Sequence, residues 1–330
     1  MDFIIADANK KDLCFLDDSA SLDFDVGSSD DFQFSIVLND FDPEAHIEGN
    51  ILYNLGTEYG GVFDNPEIST RDNKITLTGD TFRGMLKKKY IEPSKGADYY
   101  TVSGELNTCI KTLVNKVFTN VLFRVSDKNT NVSVKNFQFD RYCNLLDGIN
   151  KMLASKSYRL SIKAVRIEDD FFVELSATPI VDYSDDIEFS QDSDIQFKIK
   201  RVTNKYNYMI ALGKGELKDR QVLYFYCDKA GNVSSVAAIP QGDKVKVYLY
   251  DNSSTEDLKG DAIKKFAEIN SVDEYSMTIK DDMELELGDI VGGRDYITGM
   301  TIVQPITRKI IKYSNKKQSI SYEIGGKGNA

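Results

Sequence analysis

The stretch Gly79-Asp80-Thr81-Phe82-Arg83-Gly84-Met85-Leu86-Lys87-Lys88-Lys89-Tyr90, followed through Pro93 to Thr101-Val102-Ser103-Gly104-Glu105-Leu106-Asn107, decides the fold class. Ahead of it Lys74-Ile75-Thr76-Leu77-Thr78 alternates polar with apolar residues, the period of a half-buried strand. From Phe82 to Tyr90 the pattern becomes a short basic helix, which Pro93 breaks. A second, Gly/Ser-capped helix is predicted from Ser103, with Glu105 in its first turn favouring the helix dipole. A strand thus runs straight into a helix, with β-structure before it and more β-structure beyond the mixed segment that follows.

Working outward to the N-terminus, residues 1–80 read as successive strands. Phe3-Ile4-Ile5, Leu13–Leu16, Ser21–Val26 and Phe32–Leu38 are apolar or alternating, with Asp30-Asp31 and Asn39-Asp40 as turn chemistry. Ile51-Leu52-Tyr53 leads to a Gly60-Gly61 corner and on to Val62-Phe63. The expectation is a small antiparallel sheet or barrel. Residues 81–185 differ, with one helix carrying Leu106, Ile110, Leu113, Val114 and Val117 and another carrying Tyr142, Leu145, Leu146, Ile149, Met152 and Leu153. The strands Arg159–Ile167 and Phe171–Thr178 turn at Glu168-Asp169-Asp170, completing an α+β unit. Residues 186–330 return to β-structure, with one helix over Leu258, Ala262, Phe266 and Ile269 behind a Ser253/Glu256 capping box.

The fold class is α+β, mostly β. A chain of 330 residues is long for one core, and Phe and Tyr, 18 each beside 6 Pro, favour strands. The net charge of -11 repels nucleic acid and anionic membranes on average. No apolar run reaches the roughly 18 residues of a membrane span, and the N-terminus lacks a signal-peptide pattern. Cys14, Cys109, Cys143 and Cys227 form no CxxC pair and read as reduced, mostly buried thiols of a protein folded in a cytoplasm.

No motif for catalysis survives inspection. His46 is the only histidine and reads as a surface residue, and no GxSxG elbow accompanies it. Asp17, Asp18, Asp30 and Asp31 read as solvated turns, since a calcium loop would space its ligands and close on a Glu. Leu212–Arg220 lacks the phosphate-loop pattern and reads as a turn between strands. No cofactor or metal is expected. Lys87-Lys88-Lys89 with Arg83 one turn earlier is either a solvated helix face or a grip for phosphate or an acidic partner. Lys309, Lys312, Lys316 and Lys317 raise the same pair of readings.

Several blocks resemble a known family. Thr57–Val62, Leu77–Leu86, Tyr99–Asn107, Ala211–Arg220, Leu287–Asp295 and Pro305–Ile310 are similar to the siphovirus Gp37-like group of tail-hub proteins, akin to the baseplate hub of T-even phages. The blocks run in order from about residue 57 to the C-terminus, and Phe82 stands where Trp is common in relatives.

The resemblance implies two tube-like β-barrel domains, at 1–80 and 186–330, the second carrying an insertion at about 203–271, with the α+β domain of 81–185 between them. It also implies a homotrimer whose ring joins the hexameric tail tube to a trimeric spike. Partners would be the tail tube or distal tube protein, the spike or tail-tip protein, the tape measure protein and, in a contractile tail, baseplate wedge proteins. DNA would pass the channel without specific binding. The place implied is a phage tail or tail-like particle, assembled in the bacterial host cytoplasm, with no membrane and no enzymatic activity. Candidate interface residues are Arg83, Lys87, Lys88, Lys89 and Arg294. The competing reading is a tail-associated cell-wall hydrolase, and a third is a monomeric carbohydrate-binding β protein.

Overall fold

Strands of alternating burial build the first part of the chain in a computed structural model. It describes residues 2–119, 122–184, 188–189, 196–201, 206–227, 233–235, 245–270, 273–278, 285–294, 301–314 and 317–325. The strands are β1 (Phe3–Ala6), β2 (Asp12–Phe15), β3 (Ser21–Val26), β4 (Asp31–Val37), β5 (Ile51–Asn54), β6 (Gly60–Ser69) and β7 (Lys74–Thr81). In β3, Leu22, Phe24 and Val26 are buried while Asp23 faces out, as period-two alternation requires.

Helix α1 (Phe82–Lys87) follows β7 without a loop. It stops three residues short of Tyr90, because Tyr90 instead forms an isolated bridge with Asn144 and the Lys89 carbonyl accepts from the Leu145 amide. Next come β8 (Thr101–Glu105), α2 (Leu106–Val117), β9 (Phe123–Val125), β10 (Ser133–Gln138), α3 (Leu145–Ala154), β11 (Tyr158–Ile167) and β12 (Asp170–Pro179). The helix expected from Ser103 starts at Leu106, since Thr101–Glu105 pairs with β10. Glu105 is the residue before the helix, and its carboxylate accepts from the Thr108 amide at 2.9 Å. Tyr142 likewise lies outside α3, which Asn144 caps by accepting from the Asp147 amide.

After β13 (Glu188–Phe189) comes β14 (Gln196–Arg201), then β15 (Tyr208–Leu212), β16 (Val222–Cys227), β17 (Val233–Ser235), β18 (Val247–Asp251), α4 (Leu258–Asn270) and β19 (Asp273–Thr278). Phe197–Met277 with Gly325–Ala330 forms a compact unit of its own. Its four-stranded sheet, ordered β17-β16-β15-β18, packs Met209, Ala211 and Phe225 against Leu258, Ala262 and Phe266 of α4. Gly213–Arg220 connects the antiparallel β15 and β16. The expected Ser253/Glu256 capping box is absent: Asp257, directly ahead of α4, accepts from the Gly260 amide, and Glu256 pairs with Lys214.

The chain returns through β20 (Ile290–Arg294), β21 (Thr301–Ser314) and β22 (Lys317–Ile324). Met1–Gln196 and Thr278–Ile324 make up the other compact unit. Its sheet has 11 strands in the order β13-β20-β21-β3-β4-β7-β6-β5-β1-β2, with β22 also on β21. Hydrogen bonding therefore crosses from the last strands to the first, because β21 pairs with β3 through Lys309 to Ser314. Of the segment expected to open a second barrel, residues 186–187, 190–195 and 202 lie outside the described residues. Strand content of 48% against 18% helix makes the protein mostly β, α+β.

This sheet rolls back on itself. Six strand steps separate β21 from β1, about 29 Å if the sheet were flat. The Phe3 and Tyr313 rings nevertheless meet edge-on at 5.8 Å, and Phe3 also stacks on Phe24 at 5.7 Å. The concave face is an apolar core of Phe3, Phe24, Phe32, Phe34, Phe63 and Ile311. On the other side Ala6, Ile51, Tyr53 and Phe82 join the core of α2, α3, β11 and β12.

Candidate functional site

The joint between β7 and α1 is built by close backbone approach. Thr81 caps α1 by accepting from the Gly84 amide at 3.0 Å, and its hydroxyl donates to the Asp30 carbonyl at 2.9 Å. Asp30 sits at φ +60°, accepts from the Gly27 amide and takes the Lys87 ammonium at 2.9 Å. It is buried, where a solvated turn was expected, because the helix lies directly against its main chain. A methyl group on Gly84 would fall 2.1 Å from the Asp30 carbonyl oxygen. On Gly79 it would fall 2.1 Å from the Val62 carbonyl oxygen and 2.6 Å from the Phe32 ring. The glycines therefore let helix and rings lie on bare backbone.

Beneath the joint lies a buried charge cluster. Glu58 accepts two hydrogen bonds from Arg83, at 3.1 Å from Nε and 2.7 Å from Nη2. Its other oxygen is 3.3 Å from Lys309 Nζ, which reaches Glu286 at 2.8 Å and lies over the Tyr59 ring. Arg83 is 5% exposed, Glu58 6% and Lys309 1%. Burial alone would push the Glu58 carboxyl up, but Arg83 and Lys309 outweigh it and hold it below the usual carboxylate range. Burial would likewise pull Lys309 down, yet Glu58 above all holds it above the ordinary lysine value. The three buried side chains, Glu58, Arg83 and Lys309, stay charged at neutral pH, as buried ions must be paired to persist.

The structure separates the candidate interface residues. Arg83 is not on an exposed helix face, because it turns inward to Glu58. Lys87 is partly exposed and bonded to Asp30 and the Ser28 carbonyl, Lys88 is exposed and pairs with Asp80 at 2.6 Å, and Lys89 is exposed over the Phe118 ring. Arg294 is exposed at the end of β20, in register with Thr301.

Lys309 is not a solvated lysine either. It occupies an inward position of β21, in step with the buried Ile311 and Tyr313. Lys309-Ile310-Ile311-Lys312-Tyr313 places a lysine on each face of the strand, so no period declared which one is buried, and nothing local marked Glu58 or Glu286 as its partners. Exposed Lys312 pairs with Asp23 at 3.4 Å, Lys317 is exposed, and Lys316 lies outside the described residues.

Further pairs bind distant segments. Asp289, buried, accepts from Arg159 Nε at 2.8 Å and from the Val181 amide at 3.0 Å. Arg308 spans β3 and β22 by bonding Asp25 and Glu323, and those bonds, led by the one to Asp25, raise its pKa. His46 is buried between Phe34 and Phe41 and not at the surface, because its Nδ1 accepts from the Asp42 amide. Burial lowers its pKa. Among the described residues no group of three His, Cys, Asp or Glu could hold a metal ion. No helix among them is long and apolar enough to cross a membrane. In the charge cluster every acid faces a base, so its chemistry is attachment of segments.

The fold so assembled is similar to those of phage and prophage tail proteins. The 43 kDa tail protein of prophage MuSo2 from Shewanella oneidensis aligns over 99% of both chains, at 8% identity and TM-score 0.56. The tail protein from Neisseria meningitidis MC58 aligns over 99% of this chain and 97% of its own, at 13% identity and TM-score 0.50. A chain of the phage P2 baseplate, in its activated conformation with Ca, aligns over 98% and 99%, at 11% identity and TM-score 0.50. At such identities the likeness is one of fold. No curated protein matches the chain.

Family membership is more specific. Residues 15–326 match the model of the siphovirus ReqiPepy6 Gp37-like proteins, and the chain belongs to that family of phage tail and baseplate structural proteins. Four of the blocks that resemble the family meet in space. Thr57–Val62 supplies Glu58, Leu77–Leu86 supplies Arg83 and Pro305–Ile310 supplies Lys309, while Leu287–Asp295 begins beside Glu286 and exchanges main-chain hydrogen bonds with Ile306 through Gly288 and Asp289.

Proposed function

We propose that this chain is the hub of a tail or baseplate, three copies forming a ring that joins the hexameric tail tube to a trimeric spike. The observation that carries the reading is the sheet that rolls on itself and is clamped by the Glu58–Arg83–Lys309–Glu286 cluster, in a member of a tail-protein family. A tube segment needs walls that keep their curvature, and buried ion pairs between β21 and the first strands reinforce the register that their apolar face already specifies. In this proposal two tube-like units, from residues 1–80 and 186–330, share β21. The segment of about 203–271 is an insertion in the second. Two such units per chain in three chains give six-fold surroundings for the tube and three-fold for the spike. Tube or distal tube, tape measure and spike or tail-tip proteins are its neighbours in the virion tail, joined by wedge proteins where the tail contracts.

The mass of the purified protein in solution, followed by imaging of assembled particles, tests this. Trimers with a central hole, found at the tail end, support the hub, and absence of the chain from purified tails overturns it. The competing hydrolase predicts clearing of peptidoglycan in a zymogram, lost on one carboxylate substitution.

A further inference from the structure

Charge is divided unevenly along this chain. Between Lys11 and Arg71 there are fourteen Asp and Glu and neither Lys nor Arg. Folding matches several of these acids with bases from far along the sequence: Asp12 with Arg166, Asp23 with Lys312, Asp25 with Arg308, and Asp30 with Lys87. The segment Asp40–Glu48 receives no such match. Asp40, Asp42, Glu44 and Glu48 are exposed and, among the described residues, have no ion-pair partner, and Ile47 beside them is 43% exposed.

A patch of opposite character lies past the end of α1. Three cations there each sit over an aromatic ring: Lys89 over Phe118 at 5.5 Å, Lys116 over Tyr100 at 4.1 Å and Arg141 over Tyr142 at 5.6 Å. Main-chain bonds tie the loops into one surface, from Leu145 to the Lys89 carbonyl, from Ile91 to that of Cys143 and from Phe139 to that of Tyr100. Around them Tyr90 is 55% exposed, Tyr99 48% and Tyr142 56%. Tyr142 is also held at φ +55°, where bulky residues are rarely found. Tyr and Arg are the anchors of protein interfaces, and cations already seated on rings lose little freedom on docking. Glu92, Asp98 and Asp147 are the nearby exposed acids, Asp147 bonded to Asn144, and Asp140 is taken by Lys151.

We propose that the Lys89–Arg141–Tyr142 patch of one copy receives the Asp40–Glu48 segment of a second copy. The occupant is argued from charge and exposed apolar surface: four uncompensated acids around an exposed isoleucine meet three oriented cations around exposed tyrosines. Unlike patches joining head to tail generate a ring when the rotation closes, so the inference rests on the ring reading above and names its contact.

The test uses the full-length protein. Light scattering at low and high salt follows the wild type, Lys89→Glu with Arg141→Glu, Asp42→Lys with Glu44→Lys, and a chain carrying all four changes. Expected are a salt-sensitive oligomer, at least tenfold weaker association in each double variant, and recovery when all four are combined. Zero-length carbodiimide cross-linking of the wild type, read by mass spectrometry, should join Lys89 or Lys116 to Asp42 or Glu44 between copies. Association within twofold of wild type in both double variants, with no such cross-link, overturns the contact and leaves the ring reading standing. A wild type that stays monomeric at low salt and high concentration overturns the contact too, and the ring is then decided by copies per purified tail.

Discussion

Glu58 and Lys309, from opposite ends of the chain, stand 3.3 Å apart in the interior. Their pairing brings β21 to the first strands, and Arg83 on the other side of Glu58 brings α1 to the same point. One carboxylate thus joins three segments.

Replacing that carboxylate by an amide leaves Arg83 and Lys309 buried with a deficit of negative charge. Glu58→Gln is expected to lower the free energy of unfolding by about 3–5 kcal/mol. Chemical denaturation of the purified variant measures it. A loss below about 1 kcal/mol would mean that the cluster is hydrated and not the clamp described here.

Stability should fall on the acid side. The folded Glu58 carboxyl lies below its ordinary value, so its contribution is fully present above about pH 4.3 and lost as pH falls through the folded value. Glu105 behaves alike: burial opposes ionisation, but hydrogen bonds from Thr130 and from the Thr108 amide bring its pKa down to about 2. Lys309, held above the ordinary lysine value, contributes below about pH 10.4 and loses its share only as pH rises through the folded value. Denaturation midpoints from pH 2 to 8 should therefore decline below about pH 4 in the wild type, and less steeply in Glu58→Gln and Glu105→Gln. Equal slopes in all three proteins would contradict the assignment.

Gly84→Ala sets two effects of opposite sign against each other. Within a helix the change ordinarily adds about 1 kcal/mol. Here the methyl would meet the Asp30 carbonyl oxygen at 2.1 Å, backbone that cannot swing aside. A net loss of about 1–3 kcal/mol is expected, read from the thermal or denaturant midpoint. A gain in stability would show that α1 does not lie against Asp30.

Phe3→Ala probes the curl of the sheet. Phe3 touches Phe24 and Tyr313 across strands that a flat sheet would hold far apart. Its truncation should cost about 3–5 kcal/mol, whereas a residue on a flat edge strand would lose much less. Unfolding curves of Phe3→Ala beside Phe15→Ala, whose ring is 70% exposed on β2, distinguish the two cases.

The sequence by itself determined the strands, the amphipathic helices and the strand-to-helix passage at Thr81, because these follow from local period and capping chemistry. Leu22, Phe24 and Val26, or Leu145, Leu146 and Ile149, declare their faces to any reader of the pattern. The ordered blocks likewise pointed to the family. Only the tertiary structure decided that Arg83 and Lys309 point inward and that Asp30 and His46 are buried. A charged side chain in a strand or short helix reads as solvated until a partner is brought to it. Glu58 and Glu286 are brought there by a sheet that rolls, which depends on pairings between segments whose separation along the chain no local period records.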